Sequence, residues 1–339
     1  MSELSALIDA LLSPSAYPHR PRVVDIVQTP ISVVFLAGDY VYKVKKPVAF
    51  DFLDFTTLDR RLFFCEQEVK LNRRLCADTY LGVVAIVGEG QALKVEGSGE
   101  PVEYAVKMRR LPQDRMMDIL LRANSVSVNM VERLAEKLAL FHQHEQVNEQ
   151  LATLGGLDVL TSDMIENYAE AEPYIGRTIT AGQYERIRAF SHGFLEHHAH
   201  LFDKRVADGR IRDCHGDLRA AHVCFNEGLC IFDCIEFNDR FRYVDVANEI
   251  AFLAMDLDFY AQPALSREFV HAYVEYAGDE ELLALLDFYK CYRAYVRGKV
   301  EGFKLDDETI GDEEKGVARD RAARFFGLAD SYSQMVANE

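Results

Sequence analysis

The chain reads CHGDLRAAH at residues 214–222 and IFDCIE at residues 231–236, so that Asp233 follows Asp217 by sixteen residues. Between the two motifs, residues 223–232 read as two short apolar strands around an Asn-Glu-Gly turn, which is the pattern of a β-hairpin. The hairpin is predicted to hold both carboxylates on the same side, facing one space. Taken alone, each acid also fits a turn residue that caps a hairpin, because most Asp residues near Gly have that role.

The two acids together suit the transfer of a phosphoryl group. That chemistry requires an acceptor hydroxyl held in line and phosphate charge neutralised by Mg²⁺, an ion that prefers hard oxygen ligands. Asp217 is expected to orient the hydroxyl, and Asp233 is expected to bind the metal.

Motifs in this order and spacing resemble those of the aminoglycoside phosphotransferase family of small-molecule kinases. The resemblance rests on HGDL at residues 215–218, FDCIE at residues 232–236 and DVANEIAF at residues 245–252. In that family the first motif begins the catalytic loop, the second carries the metal-binding acid, and the third opens a helix behind the site. The motifs are most similar to a subgroup often found as the front half of longer bifunctional phosphotransferase and ATP-binding proteins. No Gly-x-x-x-x-Gly-Lys-Ser/Thr phosphate loop occurs in these 339 residues.

The resemblance implies an α+β, two-lobed protein-kinase-like fold. A small β-rich, nucleotide-binding N-lobe is expected over residues 1–110, and a larger helical C-lobe with the catalytic loop and the acceptor site over residues 111–339. The implied cofactor is ATP or GTP with Mg²⁺ or Mn²⁺, and the implied partner is the hydroxyl group of a small molecule. Periodicity agrees, with strand signals up to about residue 110. Helical patterns cover residues 57–75, 126–146, 165–174, 181–205 and 279–305, and the acidic run 306–314 reads as a solvated loop.

A strand that contains lysines is the main candidate for the nucleotide site. Residues 33–37 and 40–45 read as two strands around a Gly-Asp turn, and the second strand contains Lys43 and Lys45. A lysine inside such a strand needs a carboxylate partner. A strand edge protected by charge is the alternative interpretation.

The helical pattern over residues 57–75 supplies a carboxylate partner in Glu68. In the family a strand lysine contacts the nucleotide phosphates and a helix glutamate braces it. These roles are assigned to Lys43 and Glu68. Lys45 and Glu66 are the alternatives, because each lies two residues from the preferred position.

Two further segments are expected to contact the nucleotide. Residues 27–32 occupy the place of a glycine-rich phosphate loop but contain no glycine, so the hydroxyls of Thr29 and Ser32 are assigned as phosphate donors. Residues 102–112 read as a strand that runs into a proline, where a hinge between lobes is expected. Adenine is expected to pair with backbone groups near Met108.

Two positions depart from the family pattern. His222 stands where the family has an asparagine that binds the metal, and Arg219 stands where it commonly has a histidine. Imidazole is a poorer Mg²⁺ ligand than oxygen, so three outcomes stay open: Asp233 and Glu236 hold the metal without His222, Mn²⁺ is preferred, or nucleotide binds without turnover. Arg219 offers phosphate a planar donor fork. The predicted catalytic residues are therefore Asp217, His215 and Arg219, and the predicted metal ligands are Asp233, His222 and Glu236.

Composition limits the partners and the location. The formal net charge of -17 argues against nucleic acid as a partner and is compatible with a cationic small molecule. The sequence shows no signal-peptide pattern and no apolar segment near the roughly 20 residues of a membrane span, so a cytoplasmic protein without a membrane partner is expected. The seven cysteines include no Cys-x-x-Cys pair and are expected to be reduced core residues. A zinc site made of Cys230, Cys234 and His222 is a minority interpretation.

Two other classes of function stay open. A pseudokinase or nucleotide-sensing module that binds a protein partner is favoured by the missing asparagine and the missing glycines. A metal-dependent hydrolase would use His215, Asp217 and His222, but the loop offers few ligands at helical or strand spacing.

Overall fold

The structure is a computed structural model that describes residues 3–90, 92–145, 147–226, 228–308 and 310–336. The chain packs as two compact units, of which the first consists of Met1–Met116 and His222–Asp239 and the second of Met117–Ala221 and Arg240–Glu339. The predicted division into an N-lobe of residues 1–110 and a helical C-lobe of residues 111–339 differs from these two units. The segment His222–Asp239 packs in the first unit because its side chains at Cys224 and Cys230 share an apolar core with Cys65 and Val106.

The described residues contain eleven α-helices. They are α1 (Glu3–Leu11), α2 (Leu58–Asn72), α3 (Met117–Arg122), α4 (Val128–His144), α5 (Glu149–Leu154), α6 (Leu157–Ala171), α7 (Ala181–Ala207), α8 (Val246–Phe259), α9 (Pro263–Ala277), α10 (Leu283–Phe303) and α11 (Asp312–Val336).

The described strands are short apart from those of the main sheet. They are β1 (Val24–Gln28), β2 (Ser32–Ala37), β3 (Tyr40–Lys45), β4 (Ala49–Phe50), β5 (Leu53–Asp54), β6 (Tyr80–Glu89), β7 (Ala92–Val95), β8 (Pro101–Arg109), β9 (Ile211–Asp213), β10 (Val223–Phe225), β11 (Leu229–Ile231) and β12 (Tyr243–Asp245).

The first unit is built on an antiparallel sheet of six strands in the order β1-β2-β3-β8-β6-β7. Within it, Tyr42 and Val44 of β3 are buried in one apolar core. Since side chains alternate along a strand, Lys43 and Lys45 point to the opposite face. Lys43 lies opposite Val106 of the neighbouring strand β8, and Val106 packs in the core that includes α2. Both lysines therefore face that helix.

The helix and hairpin predictions that position the site are confirmed. Helix α2 begins after Thr57, whose hydroxyl accepts a hydrogen bond from the Arg60 backbone N–H, a favourable N-cap. Strands β10 and β11 pair as the predicted hairpin, and Glu227 of its turn lies outside the described residues. The predicted opening of a helix near residue 245 is α8, where the Asp245 carboxylate accepts from the Ala247 N–H at 2.8 Å.

The second unit is mainly helical, and its predicted helices at 126–146, 181–205 and 279–305 correspond to α4, α7 and α10. Gln146 lies outside the described residues. The pattern at 165–174 covers the second half of α6 and the turn that follows it. The prediction of a loop through residue 314 is wrong from Asp312 onward, because three acids form the first turn of α11, where carboxylates interact favourably with the helix dipole.

The prediction that all cysteines are reduced is wrong for Cys76 and Cys230, which form a disulfide. The two residues are 154 positions apart in the chain. Their sequence spacing gives no sign of the pairing, which arises because the end of α2 and strand β11 pack in one core. The other five cysteines are buried thiols.

Among the residues that the structure describes, no helix combines the length and the apolar character needed to cross a membrane.

Candidate active site

Two strand lysines and one helix glutamate form the centre of the site in the first unit. Glu68 is fully buried, and its Oε2 accepts a hydrogen bond from Lys45 Nζ at 2.8 Å. Lys43 Nζ lies 2.9 Å from Glu68 Oε1, an ion-pair distance, and donates to Asp233 Oδ1 at 2.7 Å. The expected carboxylate partner of Lys43 is therefore confirmed, and Lys45 reaches the same glutamate.

The two lysines differ in exposure. The Lys45 side chain is 1% exposed and is enclosed by Glu68 and by Glu236, to which it is also hydrogen-bonded. The Lys43 side chain is 13% exposed, and that of its partner Asp233 is 42% exposed. Lys43 is therefore the more exposed of the two lysines, whereas Lys45 is enclosed by buried carboxylates.

Electrostatics favour the charged forms of Lys43 and Glu68 but not that of Glu236. Burial by itself lowers the pKa of Lys43, but the charges of Asp233 and Glu68 outweigh it and hold that pKa well above its ordinary value. Burial also acts to raise the pKa of Glu68, yet Lys43 and Lys45 reverse this effect and lower it. The pKa of Glu236 is raised, because burial outweighs the nearby charge of Lys45.

Asp233 is held in an uncommon backbone conformation just after β11. Its φ of 64° lies in the left-handed region, which Asp tolerates better than most residues. Its backbone N–H donates to the Tyr80 hydroxyl at 3.2 Å, and the next N–H, of Cys234, donates to Asn72 Oδ1 at 2.9 Å. These bonds fix the backbone that carries the Asp233 carboxylate, the group that was predicted to bind the metal.

The predicted metal ligands are not equally placed. His222 Nε2 lies 3.6 Å from Asp233 Oδ2, so the structure brings these two groups together. The Glu236 carboxylate is buried against Lys45. Its metal role stays a prediction, as does the role of His222. Zinc binding by Cys230 is ruled out by the disulfide that its sulfur forms with Cys76.

Ser32 and Met108 keep their nucleotide roles only as predictions. Ser32 is fully buried, and its hydroxyl has no hydrogen-bond partner among the described residues. Its backbone N–H donates to Thr29 Oγ1 at 3.0 Å, which closes a tight turn between β1 and β2. Met108 packs beside the core that includes α2, and the next two backbone N–H groups, of Arg109 and Arg110, already donate to carbonyls.

The HGD segment lies in the second unit and is anchored by Glu249 of α8. Glu249 Oε1 accepts from the backbone N–H groups of His215 and Gly216 at 2.7 and 2.8 Å. Its Oε2 pairs with His142 Nε2 at 2.8 Å, and His142 Nδ1 lies 2.8 Å from the Tyr273 hydroxyl. Burial acts to raise the pKa of Glu249, but the hydrogen bond and charge of His142 lower it to about 2.

Glu249, His142 and Tyr273 were missed as site residues by sequence reasoning. Glu249 stands in the quoted motif at 245–252, which was the available signal, whereas His142 and Tyr273 have none. His142, Cys214 and Glu249 also form a group of metal-type side chains whose ligand atoms lie within 4.8 Å of one another. Both ring nitrogens of His142 are engaged in hydrogen bonds, so the group serves as a hydrogen-bond network.

The three predicted catalytic residues are brought together by the loop. Arg219 forms a two-pronged ion pair with Asp217, with Nε to Oδ1 at 2.7 Å and Nη2 to Oδ2 at 2.8 Å. The Asp217 backbone N–H donates to Nδ1 of the buried His215 at 3.3 Å. The following Ala220 N–H donates to Asp256 Oδ2 of α8 at 2.8 Å. That Asp217 and Asp233 face one space stays a prediction, because they belong to different units.

Comparisons with known proteins match the chain to a protein family and to curated relatives. The sequence profile described as "Phosphotransferase enzyme family" matches residues 65–286. Uncharacterized proteins of Mycobacterium tuberculosis (strain ATCC 25618 / H37Rv) and Mycobacterium bovis are each 36% identical over 279 residues, which is 82% of this chain and 54% of theirs. The chain thus spans about half the length of the curated relatives it matches.

Two solved structures share the fold. A choline/ethanolamine kinase family protein from Mesorhizobium loti has a TM-score of 0.52 and 13% identity, covering 97% of this chain and 99% of that one. The GDP complex of wild-type aminoglycoside 2'-phosphotransferase-IIIa has a TM-score of 0.51 and 13% identity, covering 91% and 93%. The predicted α+β, kinase-like fold is therefore confirmed.

Proposed function

Because the chain belongs to the phosphotransferase enzyme family, we propose that it transfers the γ-phosphoryl group of ATP or GTP to a hydroxyl of a small molecule. The observation that carries the proposal is the connected set Glu68, Lys43 and Asp233, in which a partly exposed lysine links a buried helix glutamate to an exposed carboxylate. This is the arrangement that a kinase uses to bind nucleotide phosphates.

In the proposed nucleotide site Lys43 binds phosphate oxygens while Glu68 fixes its position. Asp233 offers an exposed, hard oxygen ligand, which fits Mg²⁺ or Mn²⁺, and His222 lies close enough to contribute a nitrogen. Glu236 is the third proposed ligand. The metal, when bound, neutralises phosphate charge. Ser32 and the backbone near Met108 complete the proposed nucleotide contacts.

In the proposed reaction Asp217 orients the acceptor hydroxyl and accepts its proton. Glu249 holds the backbone of His215 and Gly216, which sets the position of the following carboxylate. Arg219 holds both Asp217 oxygens and is a planar donor for phosphate. We place this activity in the cytoplasm, where nucleoside triphosphates are abundant.

A thermal-shift titration with nucleotide and metal tests the nucleotide site. ATP with Mg²⁺ or Mn²⁺ is expected to stabilise the protein more than ATP with a chelator. Lys43→Ala should weaken nucleotide binding roughly 10- to 100-fold, the cost of losing a hydrogen bond from a charged group. Lys107→Ala is the matched control, because Lys107 lies on β8 of the same sheet and pairs with Glu96 at 2.7 Å. Equal losses in both variants would contradict the assignment.

A nucleotide-binding protein without turnover is the second candidate function. The observation that favours it is the ion pair that holds both oxygens of Asp217. Transfer from radiolabelled ATP to a metabolite library separates the two candidates. For a kinase, Asp217→Asn should lower turnover by roughly 10² to 10⁴-fold with little change in nucleotide affinity. Nucleotide binding with no transfer to any acceptor would favour the second candidate.

A further inference from the structure

Two buried side chains of the first unit hold the backbone around Asp233, and we propose that Asn72 and Tyr80 are positioning residues for the metal site. Neither side chain would touch the metal. They would hold Asp233 in the conformation that presents its carboxylate to the ion. The proposal rests on the proposed function, because it requires Asp233 to bind a metal.

The backbone of Asp233 needs support from outside its own hairpin. Its φ of 64° lies in the left-handed region, which costs free energy for every residue that has a Cβ. A residue stays in such a conformation only where the surrounding contacts impose it. The pairing register of β10 and β11 ends at Ile231, two residues earlier, so the ladder itself does not restrain Asp233.

The contacts of Tyr80 and Asn72 restrain both backbone dihedrals of Asp233. The Asp233 N–H, which donates to the Tyr80 hydroxyl at 3.2 Å, belongs to the peptide group before its Cα. The Cys234 N–H, which donates to Asn72 Oδ1 at 2.9 Å, belongs to the peptide group after it. Because peptide groups are planar, the orientations of these two groups define φ and ψ of Asp233. Asn72 and Tyr80 are each 1% exposed, so both partners are themselves held in the core.

Asn72 also connects Asp233 to the part of α2 that carries Glu68. Its Nδ2 donates to the Glu68 backbone carbonyl at 2.9 Å, one helical turn earlier. One end of the amide is therefore bonded to the turn that begins with Glu68, and the other end to the backbone that follows Asp233. The glutamate that braces Lys43 and the proposed metal ligand thus share one support.

These backbone contacts do not depend on the contact that the Asp233 side chain makes. In the structure Lys43 Nζ donates to Asp233 Oδ1 at 2.7 Å. In the proposed function Lys43 binds phosphate oxygens and the Asp233 carboxylate binds the metal, so this side-chain contact is exchanged when the ligands arrive. The bonds to Asn72 and Tyr80 involve only backbone N–H groups and are kept. Residues that hold a metal ligand in this way typically change metal affinity by roughly 10- to 100-fold when they are replaced.

Calorimetry with AMP-PNP, once with Mn²⁺ and once with EDTA, tests the proposal through the ratio of the two affinities. We expect Mn²⁺ to strengthen the binding of AMP-PNP to the wild type. Asn72→Ala and Tyr80→Phe should each weaken binding in Mn²⁺ by about tenfold, the lower end of the range for such residues, with little change in EDTA.

Thr79→Val is the matched control for these two variants. Thr79 is buried in the same segment of the chain, and its Oγ1 lies 3.8 Å from Cys230 Sγ. The substitution keeps the shape of the side chain and leaves the acceptors of Asp233 and Cys234 in place. It should leave the ratio of the two affinities unchanged.

Two results would overturn the proposal. A lower Tm with an unchanged affinity ratio in both variants would show that Asn72 and Tyr80 only stabilise the fold, and equal losses in Mn²⁺ and in EDTA would assign them to nucleotide binding. Should Asn72→Ala fail to fold, Tyr80→Phe decides alone, because it removes a single hydroxyl and keeps the ring. Failure of the proposed function is distinguishable, since the wild type itself would then gain no affinity from Mn²⁺, and the positioning proposal would fall with it.

Discussion

At the scale of single residues, Lys43 and Lys45 lie on one face of β3 but differ in their partners and exposure. Both pair with Glu68, yet only the Lys43 partner Asp233 is substantially exposed, at 42% of its side chain. The sequence places both lysines on one face, because that follows from alternation. The sequence does not indicate which of the two lysines is enclosed, because the enclosure of Lys45 depends on Glu236, which is 191 residues away in the chain.

Lys45→Ala should therefore act on stability. The substitution leaves Glu68 and Glu236 buried with one cation fewer, and breaking a buried pair in this way costs roughly 3–5 kcal/mol. Urea unfolding should show this loss, while Lys43→Ala should unfold at a midpoint closer to that of the wild type. The reverse order of the two midpoints would show that Lys43 is the structural lysine.

His222→Asn tests the metal site. The imidazole nitrogen lies 3.6 Å from an Asp233 oxygen, a separation that lets both groups bind one ion. A nitrogen ligand favours Mn²⁺ over Mg²⁺ relative to an amide oxygen. We expect the wild type to prefer Mn²⁺ and the variant to shift the ratio of kcat/KM values toward Mg²⁺ on the order of tenfold. A lower Tm with an unchanged metal ratio would assign His222 a packing role instead.

At the scale of elements, the sequence predicts those whose signals are local. Strands β2 and β3, helix α2 and the β10–β11 hairpin follow from alternation, capping and turn residues within a few positions of one another. The hydrogen-bond network of Glu249, His142 and Tyr273 does not follow from local patterns, because His142 is 107 residues from Glu249 and 131 residues from Tyr273. The Cys76–Cys230 disulfide joins residues 154 positions apart, so no local sequence pattern predicts it.

The disulfide should stabilise the first unit. It joins the segment after α2 to β11, the strand that leads to Asp233. Closing a loop of this length constrains the unfolded chain, and removing such a bond typically costs roughly 2–5 kcal/mol. Cys76→Ser with Cys230→Ser, or treatment of the wild type with a dithiol, should lower the midpoint of urea unfolding. The double variant should not respond to the dithiol, which makes it the control. An unchanged midpoint in every case would mean that the disulfide does not contribute to the stability of the folded protein.

At the scale of the whole molecule, the buried network around Glu249 links the stability of the fold to the geometry of the HGD segment at residues 215–217. Glu249 is 1% exposed, and its two oxygens connect α4 and α9, through His142, to the backbone of His215 and Gly216. Loss of its negative charge would weaken all of these contacts together. The contacts around Glu249 therefore depend on a carboxylate that stays ionised, and we expect this dependence to appear in the response of the protein to acid.

The pKa of Glu249 falls from an ordinary 4.5 to about 2 in the folded protein, because the contacts of the ionised form with His142 and the loop backbone outweigh burial. A carboxyl whose folded pKa is lowered contributes stability that is fully present above the unfolded pKa and is lost as pH falls through the folded pKa. The contribution is about 3 kcal/mol at roughly 1.4 kcal/mol per pKa unit, and it should disappear between about pH 5 and pH 2.

Urea unfolding from pH 7 to pH 2 tests this dependence. Glu249→Gln should be less stable than the wild type at pH 7, and the difference in free energy of unfolding should narrow toward pH 2. Glu268→Gln, at an exposed position of α9, is the control and should leave the wild-type dependence unchanged. A constant difference between Glu249→Gln and the wild type at every pH would show that the carboxyl contributes through shape and hydrogen bonding without its charge.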